Sequence, residues 1–472
     1  MAEYLKKKFI KEGVVHVKGE EIPYVATSED FPIKDEFGNV EASIFTFTYE
    51  RADVKDKRSR PVMFCYNGGP GSCSIYINLG FCAPLRLKTG DDVNSMPKVG
   101  PFPMEENTDC VIDVVDMVVV DAIGTGYSRL LEPEAKKKYL SSTEGDVAAF
   151  AKLISAWLTA HDRWDSPIYL YGESYGTPRN AVLADHLFSI GGSEGYASPG
   201  LHVAGVIMLG TALNHGTVEL PFPRSCANIE PYAAVNWYYH PEGKGTLEDF
   251  VEECYQFAVT DYVSALAQGS WLPDEQKRKI AERLNYFTGL PVDELLARDN
   301  VIEAFSYTVE GFAKENMAVG VYDGRLNLST KDARRDPPHM AFVSNTDASN
   351  AVMSAMFVGA FNGTMKKFLN IETDEDYRKT ANVHEGWNFN CRISPMASLE
   401  NAMLRNEKLK LMFCAGYYDL LTTVGNVRYI ASHYKYPADR TTMQYYESGH
   451  MPYLGLSSLK KMADDVREFI LK

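Results

Sequence analysis

No stretch of this 472-residue chain approaches the ~20 consecutive apolar residues of a membrane-spanning helix, so a membrane-embedded protein is not expected. No Cys-x-x-Cys occurs and no Cys/His cluster has zinc spacing, so neither a metal nor any other cofactor is implied. Basic residues are outnumbered: 48 Lys and Arg stand against 63 Asp and Glu, a formal charge of −15. Phosphate backbones and anionic membranes are held by clustered Lys and Arg, so nucleic acid and membrane surfaces are not expected as partners. The first ten residues, Met1 to Ile10, lack the apolar core of a secretion signal. A cytoplasmic protein is expected, or a secreted one whose leader was trimmed. Lys6 to Lys8 read as a solvated helix end or a frayed terminus. Internal repeats and low-complexity tracts are absent, and nothing in the sequence speaks to oligomeric state.

What is present is the composition of a folded globular chain, 45% hydrophobic and 24% charged. Without a secretory route, the eight cysteines are expected to be mostly reduced. The length suggests two or three domains, or one large α/β domain with an insertion. Strands are predicted at 42–49, 61–66, 117–121, 168–171 and 202–209, the third a continuous apolar run of the kind found in buried parallel strands. A helix is predicted over 141–161, where Val147, Phe150, Ala151, Ile154, Trp157 and Leu158 share one face. Residues 216–345 read as helices and loops without strand alternation. Strand signals return at 409–414 and 441–446, and an amphipathic helix closes the chain. The expected organisation is a first core segment at 1–215, a mostly helical cap or lid at 216–345, and a second core segment at 346–472. Alternating β and α order implies a doubly wound, mostly parallel α/β sheet, with the cap over its C-terminal edge.

The most informative motif is Gly172-Glu173-Ser174-Tyr175-Gly176, a G-x-S-x-G between a β-prone run and a helix. A serine on such a turn projects its hydroxyl from the strand end, the nucleophile elbow of an α/β-hydrolase. A serine hydroxyl needs a base to take its proton and an acid to orient that base. In this fold the order is Ser, Asp or Glu, then His. Asp419 follows the 409–414 strand and His450 the 441–446 strand, which completes that order with Ser174. The developing oxyanion needs donors: the N–H of Tyr175, the residue after the nucleophile, and one from the glycine-rich loop Asn67-Gly68-Gly69-Pro70-Gly71.

Asn67-Gly68-Gly69-Pro70-Gly71-Ser72, the stretch from Asp121 to Ser128, Gly172 to Gly176, the Asp419 loop and Gly449-His450-Met451 together resemble the serine carboxypeptidase family, most closely its bacterial branch. The resemblance spans roughly residues 40–215 and 346–472. It implies a hydrolase that releases C-terminal amino acids from peptides through an acyl-enzyme. Gly69 would supply the second oxyanion N–H. Asn67, Gly68 and Glu173 would hold the substrate's terminal carboxylate, which requires a proton between the two carboxyl groups and hence favours acidic pH. Three positions depart from the family pattern. Cys65 stands where members carry Trp, and Ser72 where they often carry Cys. Around Ile77-Asn78-Leu79 this chain offers Asn78 in place of a second glutamate. The same triad would serve an esterase or acyltransferase, and a catalytically idle binding protein could keep the fold.

Overall fold

The computed structural model describes residues 7–188, 199–214, 223–303, 306–329, 347–383 and 386–472. It opens on a long hairpin of β1 (Lys8–Val17) and β2 (Glu20–Lys34). The two linking residues, Lys18 and Gly19, have φ of 49° and 84°, as a type I′ turn requires. Lys8 therefore begins a strand rather than a helix end or a frayed terminus. Exposed and half-exposed positions alternate along most of β1, so its sequence carries little apolar signal. Next come β3 (Val40–Arg51), β4 (Val62–Tyr66), a ribbon of β5 (Leu85–Leu87) with β6 (Met104–Glu106), β7 (Asp116–Val120) and the two-residue β8 (Arg129–Leu130). β9 (Ile168–Glu173) and β10 (Val203–Leu209) follow. A second ribbon, β11 (Met317–Val319) with β12 (Asn327–Ser329), precedes β13 (Lys410–Gly416) and β14 (Thr441–Tyr446).

The main sheet runs β1-β2-β3-β7-β4-β9-β10-β13-β14, with β8 beside β3. Neighbours from β7 to β14 are parallel, whereas the hairpin, β3 and β7 are joined antiparallel. Every residue of β4, β7 and β9 is buried, as expected for central strands covered on both faces. One face is covered by the helix Thr143–Ala160, opened by Ser142, whose hydroxyl accepts the Gly145 N–H. Its Trp157 packs edge-on against Phe64 of β4, ring centroids 5.5 Å apart. The closing helix Leu456–Leu471 covers the other face through Leu459, Met462, Ala463 and Val466. The expected mostly parallel, doubly wound α/β architecture is the one observed.

From β4 the chain moves to β7 on one side and then crosses to β9 on the other. That makes the β4/β9 boundary a switch point, where the two following loops diverge and leave a crevice. Between β10 and β13 lie the helices Arg224–Tyr239, Leu247–Phe257 and Asp274–Thr288. The β11–β12 ribbon also lies there, in a stretch whose sequence suggested no strands; three-residue strands are too short to display alternation. The boundaries expected at 215/216 and 345/346 fall outside the described residues. Among the described residues, no helix is long and apolar enough to cross a membrane.

Candidate active site

The sharpest backbone feature at the switch point is Ser174, with φ of 58°. A non-glycine residue in that region is strained and persists only where its surroundings hold it. Here the Ser174 N–H donates to Leu209 O at the end of β10, and the Thr177 N–H and hydroxyl both donate to Ser174 O. The Asn67-Gly68 turn after β4 lies directly against this elbow. A Cβ on Gly68 would meet the Tyr175 nitrogen at 2.3 Å and the Glu173 carbonyl oxygen at 2.7 Å, so only glycine permits the approach. The Tyr175 side chain is buried, and its hydroxyl donates to Thr143 and Asp146 at 3.2 Å each. Asp146 also pairs with the buried Arg179, whose guanidinium donates to Asn67 O and so ties the elbow helix to the glycine-rich loop. No backbone partner takes the N–H of Gly69 or of Tyr175 among the described residues.

Asp419 and His450 meet in the turns after β13 and β14. The His450 Nδ1 lies 2.7 Å from Asp419 Oδ2, and both side chains are buried. The other Asp419 oxygen accepts the N–H groups of Leu421 and Thr422 at 2.8 and 3.0 Å. The Thr422 hydroxyl donates to Asp419 and lies 3.0 Å from His450 Nδ1. An imidazole held this way presents Nε2 outward, and that atom is buried without a hydrogen-bond partner among the described residues. Burial opposes a charge on His450. The Asp419 carboxylate outweighs it, with help from Glu173, so the pKa stands above the usual 6.5.

A segment of the insertion locks these turns together. The Leu420 N–H donates to Val321 O, the Gly324 N–H to Tyr418 O, and the His450 N–H to Tyr322 O at 2.7 Å. The His450 ring also lies against Gly210, just past β10, where φ is 58° and a Cβ would stand 2.6 Å from the ring. Since Ser174 binds the preceding residue, Leu209, the histidine and the elbow share one strand end. Ser174 and His450 are neighbours whose side chains make no hydrogen bond in this structure. Catalytic contacts are often long or poorly aligned before substrate binds.

Glu173, the second residue of the elbow, is buried with two donors on its carboxyl. Asn67 Nδ2 donates to Oε1 and Tyr453 Oη to Oε2, each at 2.7 Å. Burial is the main influence and lifts its pKa from 4.5 to about 7, while the charge on His450 and the two hydrogen bonds pull it partly back. Asn78 makes no hydrogen bond to Glu173 among the described contacts; its Oδ1 accepts the Tyr49 hydroxyl at 2.8 Å, and its Nδ2 is buried without a partner. A cavity of about 340 Å³ elsewhere, lined by Phe45, Asp30, Tyr127, Arg129 and Glu375 among others, includes none of the predicted site residues. We place the chemistry at the switch point, because the strained serine, the acid–imidazole pair and the buried carboxyl converge there.

A family model described as serine carboxypeptidase matches residues 33–189. Over that segment the chain is similar to the serine carboxypeptidase family. Among solved structures, the fold is similar to that of a prohormone-processing carboxypeptidase from Saccharomyces cerevisiae. The two share 16% identity over 94% of this chain and 91% of that one, with a TM-score of 0.54. A juvenile hormone epoxide hydrolase from the silkworm Bombyx mori aligns over 95% of this chain and 78% of that one, at 11% identity and a TM-score of 0.35. No curated protein matches the sequence. The chain is a serine carboxypeptidase-like hydrolase with the α/β-hydrolase fold.

Three contributors to this site escaped the sequence: Thr422, Tyr453 and the segment Val321–Arg325. Thr422 stands three residues after Asp419, a spacing at which side chains commonly bond within a turn. Tyr453 stands three residues after His450, inside the short 3₁₀ turn Pro452–Leu454. The insertion segment has no local signal at all.

Proposed function

We propose that this protein releases single amino acids from the C-termini of peptides, with Ser174 as nucleophile. In this reading His450 Nε2 takes the Ser174 proton as the hydroxyl oxygen attacks the last peptide carbonyl. Asp419 holds the imidazole with Nδ1–H toward itself, so Nε2 is the basic atom. The N–H groups of Gly69 and Tyr175 receive the oxyanion. His450 then passes its proton to the leaving nitrogen, the C-terminal amino acid departs, and the acyl-enzyme is hydrolysed by a water that His450 deprotonates. Asn67, Gly68 and Glu173 read the terminal carboxylate. Peptides are accordingly the substrate, and the cap between β10 and β13 borders the cleft.

One observation carries the exopeptidase reading over general acyl transfer. A buried carboxyl with a pKa of about 7 adjoins the nucleophile and is joined to the glycine-rich loop through Asn67. A protonated acid can supply a hydrogen bond toward a carboxylate, directly or through a hydroxyl bonded to it, whereas it offers nothing particular to an uncharged acyl acceptor. The test is a comparison of an N-blocked dipeptide with its C-terminal amide, using the intact protein and Ser174→Ala. Selective turnover of the free acid, lost in Ser174→Ala with folding intact, is expected. Equal turnover of acid and amide would remove the exopeptidase assignment, and full activity in Ser174→Ala would remove the nucleophile.

A further inference from the structure

The Glu173 oxygen that Asn67 leaves free is met by a tyrosine. Tyr453 is buried, and its hydroxyl stands 2.7 Å from Glu173 Oε2. It reaches the site from the turn that follows His450, so one loop delivers both residues. Asn78 gives its Oδ1 to Tyr49 and makes no hydrogen bond to Glu173 among the described contacts.

Asn67 determines where a proton on Glu173 must sit. Its Oδ1 accepts the Ile77 N–H at 3.0 Å, which makes Nδ2 the end that faces Glu173. An amide NH₂ only donates, so Glu173 Oε1 must accept. A proton taken up by Glu173 therefore resides on Oε2, the oxygen facing Tyr453. In that state Tyr453 Oη accepts from Oε2–H, and its own hydrogen is released to bond something else. When Glu173 is ionised, the hydroxyl turns back and donates to Oε2. One proton thus sets the direction of the tyrosine hydroxyl.

The other groups around Glu173 cannot take this part. His450 and Asp419 are committed to each other. Tyr76, Tyr171, Tyr322 and Cys82 all feel the Glu173 charge, and burial, the main cause for each, raises their pKa values and keeps them protonated. None of these four is hydrogen-bonded to Glu173 among the described contacts; Asn67 and Tyr453 are.

We propose that Tyr453 is a specificity-determining residue of the carboxylate clamp. Its hydroxyl, turned by protonated Glu173, donates the hydrogen bond to the substrate's terminal carboxylate, where a second acid would otherwise stand. This rests on the exopeptidase reading above. The clamp then carries one titrating acid instead of two, and its proton is relayed through a phenol that stays neutral.

Two variants test it, each assayed on a blocked dipeptide and its C-terminal amide across pH. Tyr453→Phe keeps the ring and removes the hydroxyl. It should raise KM for the free acid about 10- to 100-fold, the usual cost of losing a hydrogen bond to a charged group, with kcat and the residual turnover of the amide nearly unchanged. Because the hydroxyl is the route by which the Glu173 proton acts on the clamp, its loss should also flatten the alkaline limb of kcat/KM for the free acid. In Glu173→Gln, Asn67 again forces the oxygen toward itself, so the new side-chain NH₂ donates permanently to Tyr453. That variant should keep its preference for the free acid and lose the alkaline limb. An unchanged preference in Tyr453→Phe, or abolished preference in Glu173→Gln, would overturn the proposal while leaving the exopeptidase reading in place. A parent enzyme that does not distinguish acid from amide would overturn both.

Discussion

Glu173 should make this protein less stable as pH rises through neutrality, and Glu173→Gln should abolish that effect. The folded carboxyl has its pKa lifted from 4.5 to about 7, chiefly by burial. The native state therefore binds more protons than the unfolded chain across that window, so the free energy of unfolding falls with rising pH between those values. At about 1.4 kcal/mol per pH unit, the shift corresponds to about 3 kcal/mol. The stabilising share is fully present below pH 4.5 and gone once pH exceeds the folded value. The substituted glutamine does not titrate, and its amide satisfies both neighbours, accepting from Asn67 and donating to Tyr453. The assay is equilibrium urea unfolding of both proteins at about pH 4.5 and about pH 8, with the change in their stability difference attributed to this group. The difference should move by about 3 kcal/mol in favour of the variant at the higher pH. The other titrating groups are common to both proteins and cancel, whereas His450, whose pKa Glu173 helps to raise, cancels only in part. A difference that does not change with pH would refute the account of a buried, proton-holding Glu173.

Two further outcomes bear on the acid–imidazole pair. Asp419→Asn should leave the His450 ring in place but favour the wrong tautomer, lowering kcat by about 10⁴-fold with little loss of thermal stability; labelling of Ser174 by a fluorophosphonate would slow in parallel. Gly210→Ala should place a methyl group 2.6 Å from the His450 ring at a residue whose φ is 58°, moving the base and straining the backbone. It should cost about 1–3 kcal/mol in stability and lower kcat well beyond what that loss alone explains, measured by thermal denaturation beside steady-state kinetics.

The elbow is legible because it is local. Gly172-x-Ser174-x-Gly176 encodes a turn in which glycine is needed on either side, and strand and helix signals flank it at short range. Asp419 and His450 are legible because each follows a strong strand, and their order along the chain matches the chemistry. Glu173 could be named, but its burial could not be read, since a glutamate on a turn is exposed by default. Tyr453 and Thr422 lay beyond reach for the same reason. A hydroxyl three residues past a functional side chain is common, and only the folded turn directs it inward. The hairpin β1–β2 was missed because most of β1 is partly wet on both faces, leaving little periodicity to detect.

The sequence by itself determined the alternating α/β architecture, the interruption of the sheet and the three turns from which Ser174, Asp419 and His450 project. Those are matters of local propensity and order along the chain, which short-range sterics and hydrophobic periodicity largely settle. Only the tertiary structure decided that Val321–Arg325 of the insertion threads between the Asp419 and His450 turns, and that Glu173 is buried between Asn67 and Tyr453. Tyr453 is 280 residues from Glu173 along the chain. Contacts of that span depend on how the sheet twists and which loops it brings to one edge, and a carboxyl's proton affinity depends on the water it loses there.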